Sequence, residues 1–152
     1  MSHSKLILVK HSLPEIIPEF PASQWKLSAQ GKTRCIPLAR QLVLYKPQPI
    51  VSSEEPKALQ TASILAKELN LQAFIVADLH AQERQKPGLL SAKKFEEQVK
   101  ALFANPEIVV LGSETAAQAQ ARFHQAVIKL TTQHQEETIL VVSHGTVITL
   151  FL

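Results

Sequence analysis

The sequence of 152 residues predicts an α/β fold, a three-layer α/β/α sandwich with a mostly parallel central sheet. Short runs of consecutive apolar residues recur along the chain, and such runs are typical of strands buried on both faces. Segments with apolar residues at helical spacing separate them, which indicates βαβ units. The length suits one domain, and we expect residues 1–152 to form a single domain.

The first strand is predicted at residues 6–9, where four apolar residues follow one another. Residues 13–27 contain three prolines, and the stretch to Trp25 is predicted to be a loop. Ser28 is a suitable N-cap for a helix that runs to about Tyr45. Pro37 is expected to kink this helix or shift its start, because proline lacks the backbone N–H.

The next βα unit is predicted to begin with a strand at residues 49–51. Pro56 is well placed in the first turn of the helix that follows. A third strand is predicted at residues 73–76. The expected buried stripe of the helix between these strands consists of Leu59, Ala62, Ala66 and Leu69.

The second half of the chain begins with a polar stretch, residues 78–88, which is expected to cross the molecule as an irregular segment. Helices are predicted at residues 92–104 and 115–133. A last buried strand is predicted at residues 139–142.

Composition and charge limit the classes of function. The formal net charge is +3, and the basic residues are scattered, which suits small anionic ligands and argues against nucleic acid. No segment approaches the roughly 20 apolar residues needed to span a membrane. The single cysteine, Cys35, excludes an internal disulfide and fits a reducing compartment, so we expect a cytoplasmic protein. We interpret Cys35 as a core residue.

Two histidines directly follow predicted buried strands. His11 lies in Lys10-His-Ser12, and His144 lies in Ser143-His-Gly145. Ligands of open parallel sheets bind outside the carboxyl ends of the strands, so both rings are expected where a site would form. A third feature is Lys57 in the first turn of the second helix, since helix N-termini favour anions.

These segments resemble the histidine phosphatase (phosphoglycerate mutase-like) superfamily. Leu8-Val-Lys-His-Ser12 is similar to its first histidine motif, and Val141-Val-Ser-His-Gly145 is similar to its second. The segment 51–62 is similar to the Ser-x-x-x-Arg-Ala-x-Gln-Thr-Ala helix start of the family. Leu27-Ser-x-x-Gly31 resembles the usual lead-in to the first helix, and Gly112-Ser-Glu-Thr115 with Arg122 resembles the region ahead of the penultimate helix.

The resemblance implies a metal-independent phosphatase that needs no cofactor and acts on a small phosphorylated substrate, or binds a phosphate ion. His11 would attack phosphorus and carry a phosphohistidine intermediate. Lys10, Lys57 and His144 would supply a positive clamp for the phosphate oxygens, and Ser12 would contact the phosphate. A carboxylic acid would protonate the leaving oxygen.

The sequence also departs from the family pattern. Lys10 and Lys57 replace two arginines, and lysine lacks the planar fork that grips two phosphate oxygens. Ser12 replaces a glycine. The position that often holds the acid is Ala81, so Glu83 in an alternative register, followed by Arg84, becomes the candidate proton donor.

Two interpretations therefore stay open. One is an active phosphatase, and the other is a catalytically weak or inactive domain that binds phosphorylated ligands or a partner. The chain also ends eight residues after His144, where family members continue with a helix, so the fold is expected to be shortened at its C-terminus. Apolar residues at 147–152 would then be exposed, and either a homodimer contact covers them or the gene product is truncated.

Overall fold

The computed structural model describes residues 3–83 and 90–152, and in these it contains a four-stranded sheet and five α-helices. The strands are β1 (Lys5–Lys10), β2 (Ile50–Ser52), β3 (Ala73–Ile75) and β4 (Thr138–Ser143). The helices are α1 (Ala29–Leu42), α2 (Pro56–Glu68), α3 (Ala92–Ala104), α4 (Ala116–Gln133) and α5 (Gly145–Phe151). Two short 3₁₀ turns, Ala22–Gln24 and Val43–Tyr45, lie outside these helices.

All strand pairs of the sheet are parallel, and the strand order is β1-β4-β2-β3. One face of the sheet packs against the buried residues of α1 and α2, including Cys35, Ala39 and Leu65. The other face packs against α4 and α5 through Phe123, Val127 and Val147. Helices cover both faces because the strands are apolar on both sides, so the predicted α/β/α sandwich with a parallel sheet is confirmed.

The predicted elements correspond to observed ones, with boundaries that differ by at most three residues, and the predicted helix at residues 92–104 matches α3 at both ends. Pro37 lies inside α1 without ending it, so the expected shift of the helix start does not occur. In the expected stripe of α2, Ala62 and Ala66 are buried, whereas Leu59 and Leu69 are only partly buried. Residues 84–89, the end of the expected crossing segment, lie outside the described residues.

The C-terminal segment forms α5, a helix that the strand and helix patterns did not predict. Val147 is fully buried, and the ring of Phe151 packs edge-on against Phe123 of α4 with centroids 5.6 Å apart. Leu152, by contrast, is 89% exposed. The expected apolar exposure is therefore limited, because α5 turns its apolar side onto α4.

Two further expectations concern burial and membranes. Cys35 lies on the buried side of α1, as expected for a core residue, and its thiol has a raised pKa because burial disfavours the thiolate. Within residues 3–83 and 90–152, no helix combines the length and the apolar character that crossing a bilayer requires.

The loop between β1 and α1 lies close to the start of α1, and Gly31 of that helix permits the close approach. Ser28 caps α1, since its hydroxyl accepts a hydrogen bond from the Gly31 N–H at 3.0 Å. The Ser28 N–H and hydroxyl both donate to the carbonyl oxygen of Leu13, at 3.1 Å each. A Cβ at Gly31 would lie 2.0 Å from that oxygen, so the loop approaches the helix closely only because residue 31 has no side chain.

Replacing Gly31 with alanine tests this contact. A Cβ at that position would overlap the backbone of Leu13, which cannot move aside as a flexible side chain can. We therefore expect Gly31→Ala to lower the free energy of unfolding by about 1–3 kcal/mol, the usual cost of overpacking. Urea unfolding followed by circular dichroism measures the change. Gln30→Ala, at an exposed neighbouring position, is the matched control and should leave the midpoint nearly unchanged. Equal stability of Gly31→Ala and the unmodified protein would contradict the close approach.

Candidate active site

The two motif histidines meet at the carboxyl ends of adjacent strands. The pairing of β1 with β4 sets Lys10 opposite Ser143, and the N–H of His11 donates to the Ser143 carbonyl at 2.9 Å. The next residue on each chain is then a histidine. The His11 and His144 ring centroids lie 5.2 Å apart with an angle of 59° between the planes. The predicted convergence of the two rings is confirmed.

His11 is presented as a neutral ring with a free nitrogen. Its Nδ1 lies 2.8 Å from the carbonyl oxygen of Ser12, which can only accept a hydrogen bond, so we assign the proton to Nδ1. Burial is the main cause that lowers the His11 pKa, and the positive charges of Lys57 and Lys10 lower it further. A neutral ring with hydrogen on Nδ1 leaves a lone pair on Nε2, the electron pair that a nucleophile needs.

His144 is buried more completely and is held by Ser53. Its Nε2 lies 2.9 Å from the Ser53 hydroxyl, which also accepts the N–H of Glu55. Among the described residues the Ser53 hydroxyl has no other acceptor for its hydrogen, and Nδ1 lies 3.8 Å from the Glu55 carboxylate, so we assign the serine as donor to Nε2 and the ring proton to Nδ1. Burial, assisted by the charge of Lys57, lowers the pKa of His144 to about 2. The ring is neutral, so it offers a hydrogen bond rather than the positive charge expected from the sequence.

The Nδ1 atom of His144 is a buried polar atom without a hydrogen-bond partner among the described residues. A buried donor left unsatisfied costs about 1–3 kcal/mol. The oxygen of a bound anion would satisfy it, so this atom is a candidate binding group of the site.

Two lysines bring positive charge to the histidine pair. Lys57 is 4% exposed, and its ammonium donates to the carbonyl oxygen of Ala22 at 2.5 Å and to Oε2 of Glu55 at 2.8 Å. One of its three N–H groups is left for a ligand. Lys10 is exposed at the end of β1 and lies over Gly145, where an added Cβ would come 3.7 Å from its Nζ. Both charges act on His11, as its lowered pKa shows.

Both hydrogen-bond donors of Ser12, its hydroxyl and its backbone N–H, bond to neighbouring helices. Its hydroxyl donates to the carbonyl oxygen of Gly31 at 2.7 Å, and its N–H donates to the hydroxyl of Thr61 at 3.0 Å. Thr61 in turn donates to the carbonyl oxygen of Lys57. Ser12 thus connects the loop after β1 to α1 and α2, and neither donor is free for the phosphate contact expected from the sequence.

Glu83, the carboxylic acid expected from the sequence, lies in a different setting. Its side chain is 48% exposed and accepts a hydrogen bond from the Ser113 hydroxyl at 2.7 Å. This bond is the main cause that lowers its pKa, and His80 lowers it further. A lowered pKa favours the carboxylate form of Glu83, and its role as the proton donor stays a prediction.

A buried carboxylate that the sequence interpretation missed, Glu55, lies beside the histidines. It is 8% exposed, and its Oε2 lies 2.8 Å from Nζ of Lys57 and 3.8 Å from Nδ1 of His144. Its Oε1 accepts the N–H of Ala81 at 2.9 Å. Glu55 is within the segment that resembles the family, but the pattern there directs attention to Lys57, and no sequence signal shows which of Glu54 and Glu55 points inward.

The segment after β3 is braced by an ion pair between Arg122 and Glu114. The guanidinium lies 2.6 Å from Oε1 of Glu114 and donates to the carbonyl oxygens of Asp78, His80 and Ala81. His80, Glu83 and Glu114 place potential metal-ligating atoms within 4.8 Å of one another. Because the Arg122 guanidinium already neutralises Glu114, this cluster serves to hold the segment that contacts Glu55.

Comparison with known families gives one match over most of the chain. The family described as the histidine phosphatase superfamily (branch 1) matches residues 21–152. This range includes Glu55, Lys57 and His144, and it begins after His11. A comparison with curated protein sequences finds no match.

Solved structures with the same fold include several phosphatases. A mycobacterial glucosyl-3-phosphoglycerate phosphatase is 22% identical, covers 96% of this chain and 76% of its own, and has a TM-score of 0.76. A phosphoserine phosphatase from Entamoeba histolytica in complex with 3-phosphoglyceric acid is 20% identical, covers 97% and 77%, and has a TM-score of 0.78. Bacillus stearothermophilus YhfR is 19% identical, with the same coverage and TM-score. These structural similarities show that this chain has the same fold as these proteins.

The neutrality of His144 predicts a pH-dependent stability. The unfolded chain protonates this histidine below its ordinary pKa of 6.5, whereas the folded chain does not do so until about 2. The folded state therefore loses stability as the pH falls below 6.5, by about 1.4 kcal/mol per pH unit, or about 2 kcal/mol by pH 5. His144→Gln should remove this part of the pH dependence.

Urea unfolding at pH 7.5 and pH 5 measures this loss of stability on acidification. His3→Gln changes an exposed histidine and should keep the full loss of stability on acidification. If His144→Gln and the unmodified protein lose equal stability between these pH values, the ring is not held neutral by burial.

Proposed function

This chain belongs to the histidine phosphatase superfamily (branch 1), and we propose that it hydrolyses phosphomonoesters through a phosphohistidine on His11. The observation that carries the proposal is the His11 ring itself. It is partly buried, neutral, fixed by the Ser12 carbonyl at 2.8 Å and directed toward a second neutral histidine whose Nδ1 has no partner among the described residues. This arrangement provides a nucleophile and a hydrogen-bond donor for the same small anion.

The charges around the rings suit the transfer of a phosphoryl group. Its transition state spreads negative charge over three oxygens, so catalysis depends mainly on positioning and electrostatic stabilisation. Lys57 has one N–H left for an oxygen, Lys10 lies at the open end of β1, and His144 offers its Nδ1–H. These groups supply the required donors from the protein, so the proposed reaction needs no metal or cofactor.

The substrate class follows from what the site can recognise. The donors at His144, Lys57 and Lys10 suit a phosphate group, and two proteins with the same fold are named as a glucosyl-3-phosphoglycerate phosphatase and a phosphoserine phosphatase. A structure of the former is a complex with inorganic phosphate. We therefore propose a small phosphorylated metabolite as the substrate class for this chain.

The reaction is tested with p-nitrophenyl phosphate in buffer that contains EDTA. We expect turnover by the unmodified protein and a loss of about 1,000-fold or more in His11→Ala, because the nucleophile is removed. His3→Ala, which changes an exposed histidine outside the site, should retain full activity. Release of p-nitrophenolate is followed by absorbance at pH 6 and pH 7.5.

The outcome also decides between the two interpretations that the sequence left open. Binding of vanadate and phosphate by calorimetry without any turnover would contradict the enzyme and favour a phosphate-binding domain. Turnover that survives in His11→Ala would contradict the phosphohistidine route.

A further inference from the structure

Among the described residues, Glu55 places a buried carboxylate in an ion pair with Lys57 and close to the neutral ring of His144. Its Oε2 is 2.8 Å from the ammonium and 3.8 Å from Nδ1 of His144, and its charge also acts on His11. The carboxylate therefore lies beside the two histidines that would contact a bound phosphoryl group. We propose that Glu55 is the general acid and base of the reaction, an assignment that rests on the proposed function.

The position of Glu55 in its helix supports this assignment. Glu55 is the N-cap residue of α2, where a short polar side chain ordinarily accepts the first free N–H groups of the helix. Its carboxylate makes no such bond and turns toward the histidines instead. Capping therefore does not account for a charged group that is only 8% exposed.

The contact with Ala81 offers a purely structural alternative. Oε1 accepts the Ala81 N–H at 2.9 Å, so Glu55 also connects α2 to the segment after β3. That bond uses one carboxylate oxygen and leaves Oε2 facing Lys57 and His144. The amide oxygen of a glutamine would accept the same N–H, so the structural role and the proton transfer are separable by experiment.

The proposed steps balance in atoms and charge. A bound phosphomonoester monoanion transfers its proton to Glu55, which removes the repulsion between two neighbouring anions and leaves a dianion that the charges of Lys10 and Lys57 stabilise. The Nε2 lone pair of His11 then forms the P–N bond while the P–O bond to the leaving group breaks. The Glu55 proton passes to that oxygen and releases the alcohol.

In the second half of the reaction, Glu55 acts as a base. Its carboxylate takes a proton from water as the water oxygen forms a bond to phosphorus. The P–N bond breaks, and its electron pair returns to the His11 ring. Inorganic phosphate is released, and the proton on Glu55 re-forms the acid or passes to the departing phosphate.

The experiment compares two substrates that differ only in their leaving group. Phenyl phosphate releases a basic phenolate and needs an acid, whereas p-nitrophenyl phosphate releases a stabilised anion and needs little assistance. We expect Glu55→Gln to lose about 100-fold or more in kcat on phenyl phosphate, the usual effect of removing a general acid. On p-nitrophenyl phosphate we expect a loss of less than about tenfold.

The matched control is Glu54→Gln, because Glu54 is the exposed neighbour in the chain, and it should behave as the unmodified protein on both substrates. Glu83→Gln is measured in parallel. A selective loss on phenyl phosphate in Glu83→Gln, an equal loss on both substrates in Glu55→Gln, or no loss there would overturn the assignment while the phosphatase function stands. Absence of turnover by the unmodified protein overturns the proposed function, and this assignment with it.

If Glu55→Gln fails to fold, as judged by its thermal melt, Glu55→Asp decides. Aspartate keeps the negative charge beside Lys57 but withdraws the carboxylate by one methylene from the leaving oxygen. A folded Glu55→Asp with a selective loss on phenyl phosphate supports the assignment, and equal or absent losses overturn it.

Discussion

The in-register pairing of β1 with β4 is the constraint on which the site depends. The two strands pair along their whole length, from Lys5 opposite Thr138 to Lys10 opposite Ser143. Both end at the same edge of the sheet, and the next residue of each is a histidine. A slip of one residue would turn the side chains of one strand to the opposite face and separate the rings. Burial of both faces of the sheet under helices makes such a slip unfavourable.

Burial at this edge also determines the chemistry of the rings. Removing an imidazole from water disfavours its charged form, and the nearby lysine charges act in the same direction. The result is a pair of neutral rings next to fixed cations, which suits the in-line attack on a phosphoryl group that we propose. Lys57 can be buried here because Glu55 and the Ala22 carbonyl satisfy its ammonium.

The sequence was sufficient for the strand ends and the histidine pair because both follow from simple rules. An uninterrupted apolar run ending in a polar residue marks a buried parallel strand, and parallel strands present their carboxyl ends at one edge. No such rule predicts whether a side chain in a loop is buried or exposed, or which residue it contacts. Contacts between residues distant in the chain determine these positions. Glu55 is buried and bonds to Ala81, Glu83 is exposed and bonds to Ser113, and Ser12 bonds to Gly31. The helix α5 was missed because its apolar residues continue directly from the second histidine motif.

The lone pair on Nε2 of a neutral His11 ring is the central claim, and ¹⁵N NMR of histidine-labelled protein, followed from pH 8 to pH 5, tests it most directly. An ordinary exposed histidine takes up its second proton near pH 6.5. We expect His11, assigned by its loss from the spectrum of His11→Asn, to take up its second proton at a lower pH and, above that pH, to carry hydrogen on Nδ1 and none on Nε2. Uptake of the second proton at or above pH 6.5, or a neutral ring with its proton on Nε2, would contradict this claim.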